Sequence, residues 1–211
     1  MQHNDNNLVT FPKSMNEFIN IEHAFRSVND LSISDNSKLQ RLKESTIVHG
    51  SYNPTFFYTS TFLNTFRQCY YSAEKPDISN IYNPNDFNIA IHIRRGDVNA
   101  SKFPSRYTSN SQYIDFLQKC NVPDNSVIHV FSEGKESDFS EFVSTFPNVK
   151  LHISTDVQET FHCLVKADYL LLSKSSYCYC AGMLNKNQVN CIFIKSWWHR
   201  PLNHWVTSYI H

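Results

Sequence analysis

The chain has 211 residues, 41% hydrophobic and 14% aromatic, which is enough to build a core and excludes general disorder. Its 19 basic and 19 acidic residues cancel, so the cationic excess of a nucleic-acid binder is missing. No apolar run approaches the ~20 residues of a membrane helix, and residues 1–14 lack the basic start and apolar stretch of a signal peptide, so the expected setting is cytoplasmic without a transmembrane segment.

Residues 1–85 mix short amphipathic stretches with polar breaks and read as a reduced, mainly helical N-terminal segment with no strong strand. Ile19, Ile21, Ala24, Phe25 and Val28 line one helical face. Phe56, Phe57, Phe62, Phe66 and Tyr70 predict a second helix after Asn53-Pro54, ending near Tyr71. Lys75-Pro76-Asp77 and Asn83-Pro84-Asn85 then punctuate the chain as turns, and the domain break is placed after residue 85.

From residue 86 the pattern becomes regular. Phe87, Ile89, Ile91 and Ile93 alternate with other residues as a strand. A helix over 110–120 follows, then a strand over 126–131, and a helix marked by Phe139, Phe142, Val143 and Phe146. Next come a strand over 149–153, a helix over 157–166, a buried strand over 169–172, a helix over 177–184 and a strand over 189–194. Five strands separated by four helices predict an α/β fold for 86–211: a doubly wound, Rossmann-like parallel sheet with helices on both faces. Such sheets bind ligands at the carboxyl ends of their strands. The aromatic tail from Ser196 to His211 is expected to pack as a cap.

Three polar clusters fall near predicted strand ends. In His92-Ile93-Arg94-Arg95-Gly96-Asp97, two arginines offer bidentate, charge-assisted bonds to phosphate oxygens. Gly96 permits a sharp turn, and Asp97 can orient an arginine or act as a base. The plain alternative is a solvated turn with a surface ion pair. Ser173-Lys174-Ser175-Ser176 supplies hydroxyls and free backbone N–H groups at a helix start, which suit an anion or simply cap the helix. Phe131-Ser132-Glu133-Gly134 puts a carboxylate past a strand end, suited to a ribose or a base or to nothing beyond an acidic loop. Asp168, just before a strand, has the same ambiguity. With four glycines, neither a Walker loop nor a GxGxxG fingerprint can be assembled. The six cysteines include a Cys178-x-Cys180 pair, match no zinc spacing, and read as reduced thiols, and no metal site is expected. Together the clusters describe arginines and a helix N-terminus converging on a nucleotide diphosphate.

The cluster from His92 to Asp97 resembles the HxRRxD motif of the α-1,2-, α-1,6- and protein O-fucosyltransferase superfamily. Arg106-Tyr107 and Tyr113, then Phe131-Ser132-Glu133, then Ala167-Asp168-Tyr169 through Ser175-Ser176-Tyr177, Ala181-Gly182 and Leu184-Asn185 resemble later segments of that family in the same order. The similarity spans about residues 48–195. It implies an inverting, metal-independent glycosyltransferase that moves fucose from GDP-fucose to a glycan hydroxyl. Residues 86–211 would then be the nucleotide-binding half of a GT-B fold, with no cofactor beyond the donor. Under the resemblance, Arg94 and Arg95 hold the diphosphate, Arg95 neutralises the leaving GDP, and Asp97 braces the arginines or serves as base. His92 contacts the nucleotide, Glu133 lies near the guanosine, Ser175 and Ser176 bind phosphate, and Asp168 and Tyr177 join the substrate-binding set.

Residues 1–85 are too short for the glycine-rich N-terminal half of larger members, so a second subunit or domain is expected to complete the acceptor site. Two other readings stay open: a nucleotide-binding module or degenerate transferase that has lost turnover, and a phosphate-handling hydrolase using His92 and Asp97.

Overall fold

A computed structural model of the chain describes residues 2–3, 9–10, 46–47, 60–193 and 201–209. The chain forms two compact units, Met1–Lys75 and Pro76–His211. The division falls ahead of the break expected after residue 85, and the reason is local. Tyr82 is buried and its hydroxyl donates to the Cys163 carbonyl at 2.9 Å. Asn88 donates to the carbonyls of Asn83 (3.3 Å) and Asp86 (3.1 Å), fastening the turn segment to the sheet that follows.

In the first unit, β1 (Gln2–His3), β2 (Val9–Thr10) and β3 (Thr46–Ile47) form an antiparallel sheet in that order. The sequence predicted no strong strand here; each of these is two residues long, too short to leave an alternating pattern. α1 runs Ser60–Ser72 and buries Leu63, Cys69 and Tyr70. The start expected after Asn53-Pro54, with Phe56 and Phe57, lies outside the described residues, as does the predicted face from Ile19 to Val28.

In the second unit, β4 (Phe87–Ile93) is followed by α2 (Asn110–Lys119), β5 (Ser126–Ser132) and a 3₁₀ turn (Glu136–Phe139) leading into α3 (Ser140–Thr145). Then come β6 (Val149–Ile153), α4 (Val157–Lys166), β7 (Tyr169–Leu172), α5 (Ser176–Leu184), β8 (Gln188–Phe193) and β9 (Val206–Tyr209). The six strands make one sheet in the order β6-β5-β4-β7-β8-β9, and every neighbouring pair is parallel. Counted within the unit, that is 3-2-1-4-5-6, the doubly wound Rossmann-like order, and its winding reverses between β4 and β7.

Strand periodicity sorts the two faces. Ile89 lies opposite Ile128 and Tyr169, and Ile91 opposite Val130 and Leu171. These join Tyr113, Ile114 and Leu117 of α2 with Phe139 and Phe142 in one buried cluster. Each such side chain contributes ~1.5–3 kcal/mol by leaving water. The other face carries Ala90, His92, His129 and Phe131 and meets α4 and α5: His92 lies 5.2 Å from the Tyr177 ring, and α4 packs on both α5 and β4. His129 and His152 stack there, ring centres 5.2 Å apart, with Nδ1 of one 3.0 Å from Nε2 of the other.

The tail departs from the expected cap in one respect: Val206–Tyr209 adds a sixth strand to the sheet. Trp205 does cover α5, meeting the Tyr179 ring edge-on at 5.1 Å. A Cβ on Gly182 would lie 3.1 Å from the indole, so the ring and helix approach closely there and a larger residue would make the indole give way. Among the described residues no helix is long and apolar enough to cross a membrane.

Candidate anion site at the switch point

The winding reverses between the carboxyl ends of β4 and β7, the place where doubly wound sheets hold their ligands. β4 delivers His92, Arg94, Arg95 and Asp97 to this edge; β7 delivers Ser173, Lys174 and Ser175. The two strand ends meet: His92 Nδ1 lies 3.3 Å from Ser173 Oγ. Burial and then the Arg94 cation pull the His92 imidazole down to about 4, so it is neutral at pH 7.

The two arginines have different work. Arg94 makes a bidentate pair with Asp97, Nε to Oδ1 at 3.0 Å and Nη2 to Oδ2 at 2.6 Å. Both Asp97 oxygens are engaged by this one arginine. Arg95 turns away from it. Its Nη2 donates to the Thr108 carbonyl (3.0 Å) and Asn110 Oδ1 (2.7 Å), its Nη1 donates to the Arg94 carbonyl (3.1 Å), and its guanidinium lies 4.5 Å over the Tyr107 ring. Arg95 therefore ties the end of β4 to the start of α2.

Glu133, at the end of β5, packs against the Gly96 turn. Gly96 has φ +67°, and a Cβ there would stand 2.7 Å from Glu133 Oε2. Burial raises the Glu133 carboxyl above its ordinary range; Arg94 opposes this and Asp97 adds to it. Ser132 Oγ donates to the Ile93 carbonyl at 2.6 Å and holds the β4 and β5 ends in step.

The helix starts at this edge differ in how they are capped. Ser109 and Gln112 form a capping box on α2, and Asp156 accepts from Gln158 N and Glu159 N on α4. Ser175 is the N-cap of α5 but makes no capping bond; its hydroxyl is buried and has no hydrogen-bond partner among the described residues. Beside it Lys174, only 5% exposed, donates from Nζ to the Ser105 carbonyl at 2.6 Å. Burial lowers the Lys174 ammonium from its usual range. Ser176 opens α5.

Two residues expected at the site do other work. Tyr177 donates its hydroxyl to the Val157 carbonyl at 2.6 Å and sets its ring edge-on to Phe161 at 5.2 Å, packing α5 on α4. Asp168 is corrected outright: it precedes β7 and so stands at the amino edge, a strand's length from Ser173. There Asp168 Oδ2 accepts from Asn88 N at 2.9 Å and from its side-chain amide at 3.5 Å. It lines an open cavity of about 670 Å³ with Asp77, Asp86, Lys166 and several asparagines. Asn185, from the same stretch, donates to the Leu164 and Ala167 carbonyls and closes the end of α4.

Sequence reasoning missed Lys174 and the Thr108–Asn110 anchor of Arg95. The lysine lay in a cluster already singled out, but its burial depends on Ser105, far away in the chain. Among the described residues Cys69, Cys120, Cys163, Cys178 and Cys180 are free thiols, and burial pushes Cys163 and Cys178 up to about 12. No protein-family model matches the chain, and no curated protein matches its sequence.

Proposed function

We propose that this chain binds a guanine nucleotide sugar at the switch point and transfers fucose from GDP-fucose to a glycan hydroxyl. In this reading it is an inverting, metal-independent glycosyltransferase, and its Rossmann-like unit is the nucleotide half of a GT-B-type enzyme. One observation carries the reading: His92 and Ser173 meet at 3.3 Å across the point where the strand order reverses, beside the N-terminus of α5. That brings the residues of the HxRRxD-like motif and the Ser-rich turn to one sheet edge, where helix amides and cations can offset the charge of a departing diphosphate. The acceptor hydroxyl attacks the sugar from the face opposite GDP, its proton passes to Asp97 or to water, and the bonding electrons leave with the β-phosphate oxygen. His92, neutral at pH 7, offers a hydrogen bond without adding charge. Asp97 holds Arg94 in place. A second subunit or domain is the proposed source of the remaining acceptor contacts.

The experiment is calorimetric titration with GDP, with GMP and UDP as controls, followed by transfer assays with GDP-fucose. Micromolar GDP binding, much weaker for GMP and UDP, supports the reading; no preference for GDP defeats it. A second reading, a binding module without turnover, is favoured by the engagement of the Arg95 guanidinium with Thr108, Asn110, Arg94 and Tyr107. It predicts GDP binding with neither transfer to any acceptor nor release of fucose.

A further inference from the structure

We propose that Lys174 is the direct anion ligand of the switch-point site, placing its ammonium on a phosphoryl oxygen held at the amide end of α5. The inference deepens the nucleotide reading and shares its premise that a phosphate group sits at this edge, but it assigns the charge to a residue that the motif does not contain.

The argument starts from what the arginines are doing. Arg94 is matched by Asp97 in a bidentate pair. Arg95 has a ring face, two carbonyls and an amide oxygen around it. Lys174 differs from both. It is buried, 5% exposed, and among the described residues its acceptor is one backbone carbonyl, that of Ser105. An ammonium has three protons to donate, so one neutral acceptor leaves most of its capacity and all of its charge uncompensated. Burying a cation in that state is costly unless an anion completes it.

The neighbouring residue points the same way. Ser175 occupies the N-cap position of a nine-residue helix, with extended backbone (φ −140°, ψ 128°), yet its hydroxyl caps nothing. That hydroxyl is 1% exposed and without a partner among the described residues, whereas the side-chain caps of α2 and α4 are formed. A phosphoryl oxygen at the start of α5 accepts from the Ser175 hydroxyl and from Lys174 together, at the end of the helix whose dipole favours an anion. The same chemistry suits a nucleoside diphosphate and free pyrophosphate, so the test uses both.

The full chain is titrated calorimetrically with inorganic pyrophosphate and with GDP, as wild type, Lys174→Gln and Lys174→Arg. Wild-type binding that falls roughly tenfold or more in Lys174→Gln for both probes, and returns to within about threefold in Lys174→Arg, is the expected result. Equal binding by wild type and Lys174→Gln overturns the assignment and leaves the GDP reading standing. Lys174-dependent binding of pyrophosphate with no preference for GDP upholds the assignment and removes the guanosine reading. Wild type that binds neither probe removes both. Should Lys174→Gln fail to fold, amide chemical shifts decide in the wild type. Movement at Ser175 and Ser176 on adding pyrophosphate supports the assignment, and stationary signals there overturn it.

Discussion

At the amino edge of the parallel sheet the donors are matched, although the buried Asn88 Oδ1 accepts from no partner among the described residues. Asp168 accepts from the backbone and side chain of Asn88, Asn88 donates onward to Asn83 and Asp86, and Asn125 reaches the Asn85 carbonyl at 2.9 Å. At the carboxyl edge, matching stops short. Arg94 and Arg95 are engaged, but among the described residues Lys174 has one neutral acceptor and the Ser175 hydroxyl has none. The difference teaches how to tell a polar staple from a polar site on the same sheet. A staple spends its donors internally, even where an acceptor such as Asn88 Oδ1 stays unmet, while a site holds donors in reserve, where burial makes an unmet hydrogen bond costly.

Substitutions should separate the two edges. The largest effect is expected for Arg95→Ala. It strips donors from the buried Thr108 carbonyl and from Asn110, lowering stability by about 2 kcal/mol in chemical denaturation. Under the transferase reading it also cuts fucosyl transfer by roughly 100-fold or more. Arg95→Lys rescues neither, because one ammonium cannot span the fork. An Arg95→Ala protein of unchanged stability would show that the anchor to α2 is idle. Next, Asp168→Ala leaves the Asn88 N–H without its acceptor and costs about 1–3 kcal/mol in urea denaturation. GDP affinity stays within about twofold, as expected for an edge a strand's length from the site. A larger loss of affinity would mean the edges are not separate.

Acid acts between the two edges and more gradually. Burial, then neighbouring positive charge, pulls His129 down to about 3 and His152 to about 4; His92 is likewise down to about 4. Each imidazole protonates in the unfolded chain before it does so in the folded one. Stability is therefore full above pH 6.5 and falls as pH drops toward 4. A urea series at several pH values should show that slope, and His129→Phe, which keeps the ring in the stack against Phe131 and Tyr82, should flatten it. The smallest effect is expected for Gly96→Ala. The Glu133 carboxylate can swing aside, so the cost is that of φ +67° for a residue with a Cβ, about 1 kcal/mol in thermal melts.

The doubly wound sheet was legible because its strands are written locally. Phe87, Ile89, Ile91 and Ile93 alternate, and Tyr169 to Leu172 form a short apolar run, so both positions followed from periodicity. The helix marked by Phe139, Phe142, Val143 and Phe146 was legible only as an apolar rhythm. Its first turn is 3₁₀, and Val143 is 56% exposed. β9 was hidden because an aromatic tail carries no strand alternation, and its pairing with β8 is a tertiary fact. At the site, the order His92 to Asp97 and the turn after β7 were readable, and strand polarity puts both at one edge. The same polarity places Asp168 at the opposite edge, a consequence that the motif stretch obscured. What Arg95 binds, and that Lys174 is buried, depend on Thr108, Asn110 and Ser105, partners that no local pattern announces.

The central position of β4 has a consequence for how the protein is made. β4 is the first strand of its sheet to be synthesised, and its two neighbours arrive at very different times. β5 pairs with it once residue 132 has emerged, but β7, which pairs Tyr169 with Ile89, comes only after α4. During that interval one rim of an apolar strand stays open on a growing chain, the condition that invites off-pathway pairing. Folding of this unit should be slow for its size, limited by the long-range closure of β7 onto β4. A nascent chain released before residue 172 should prove the most dependent on chaperones.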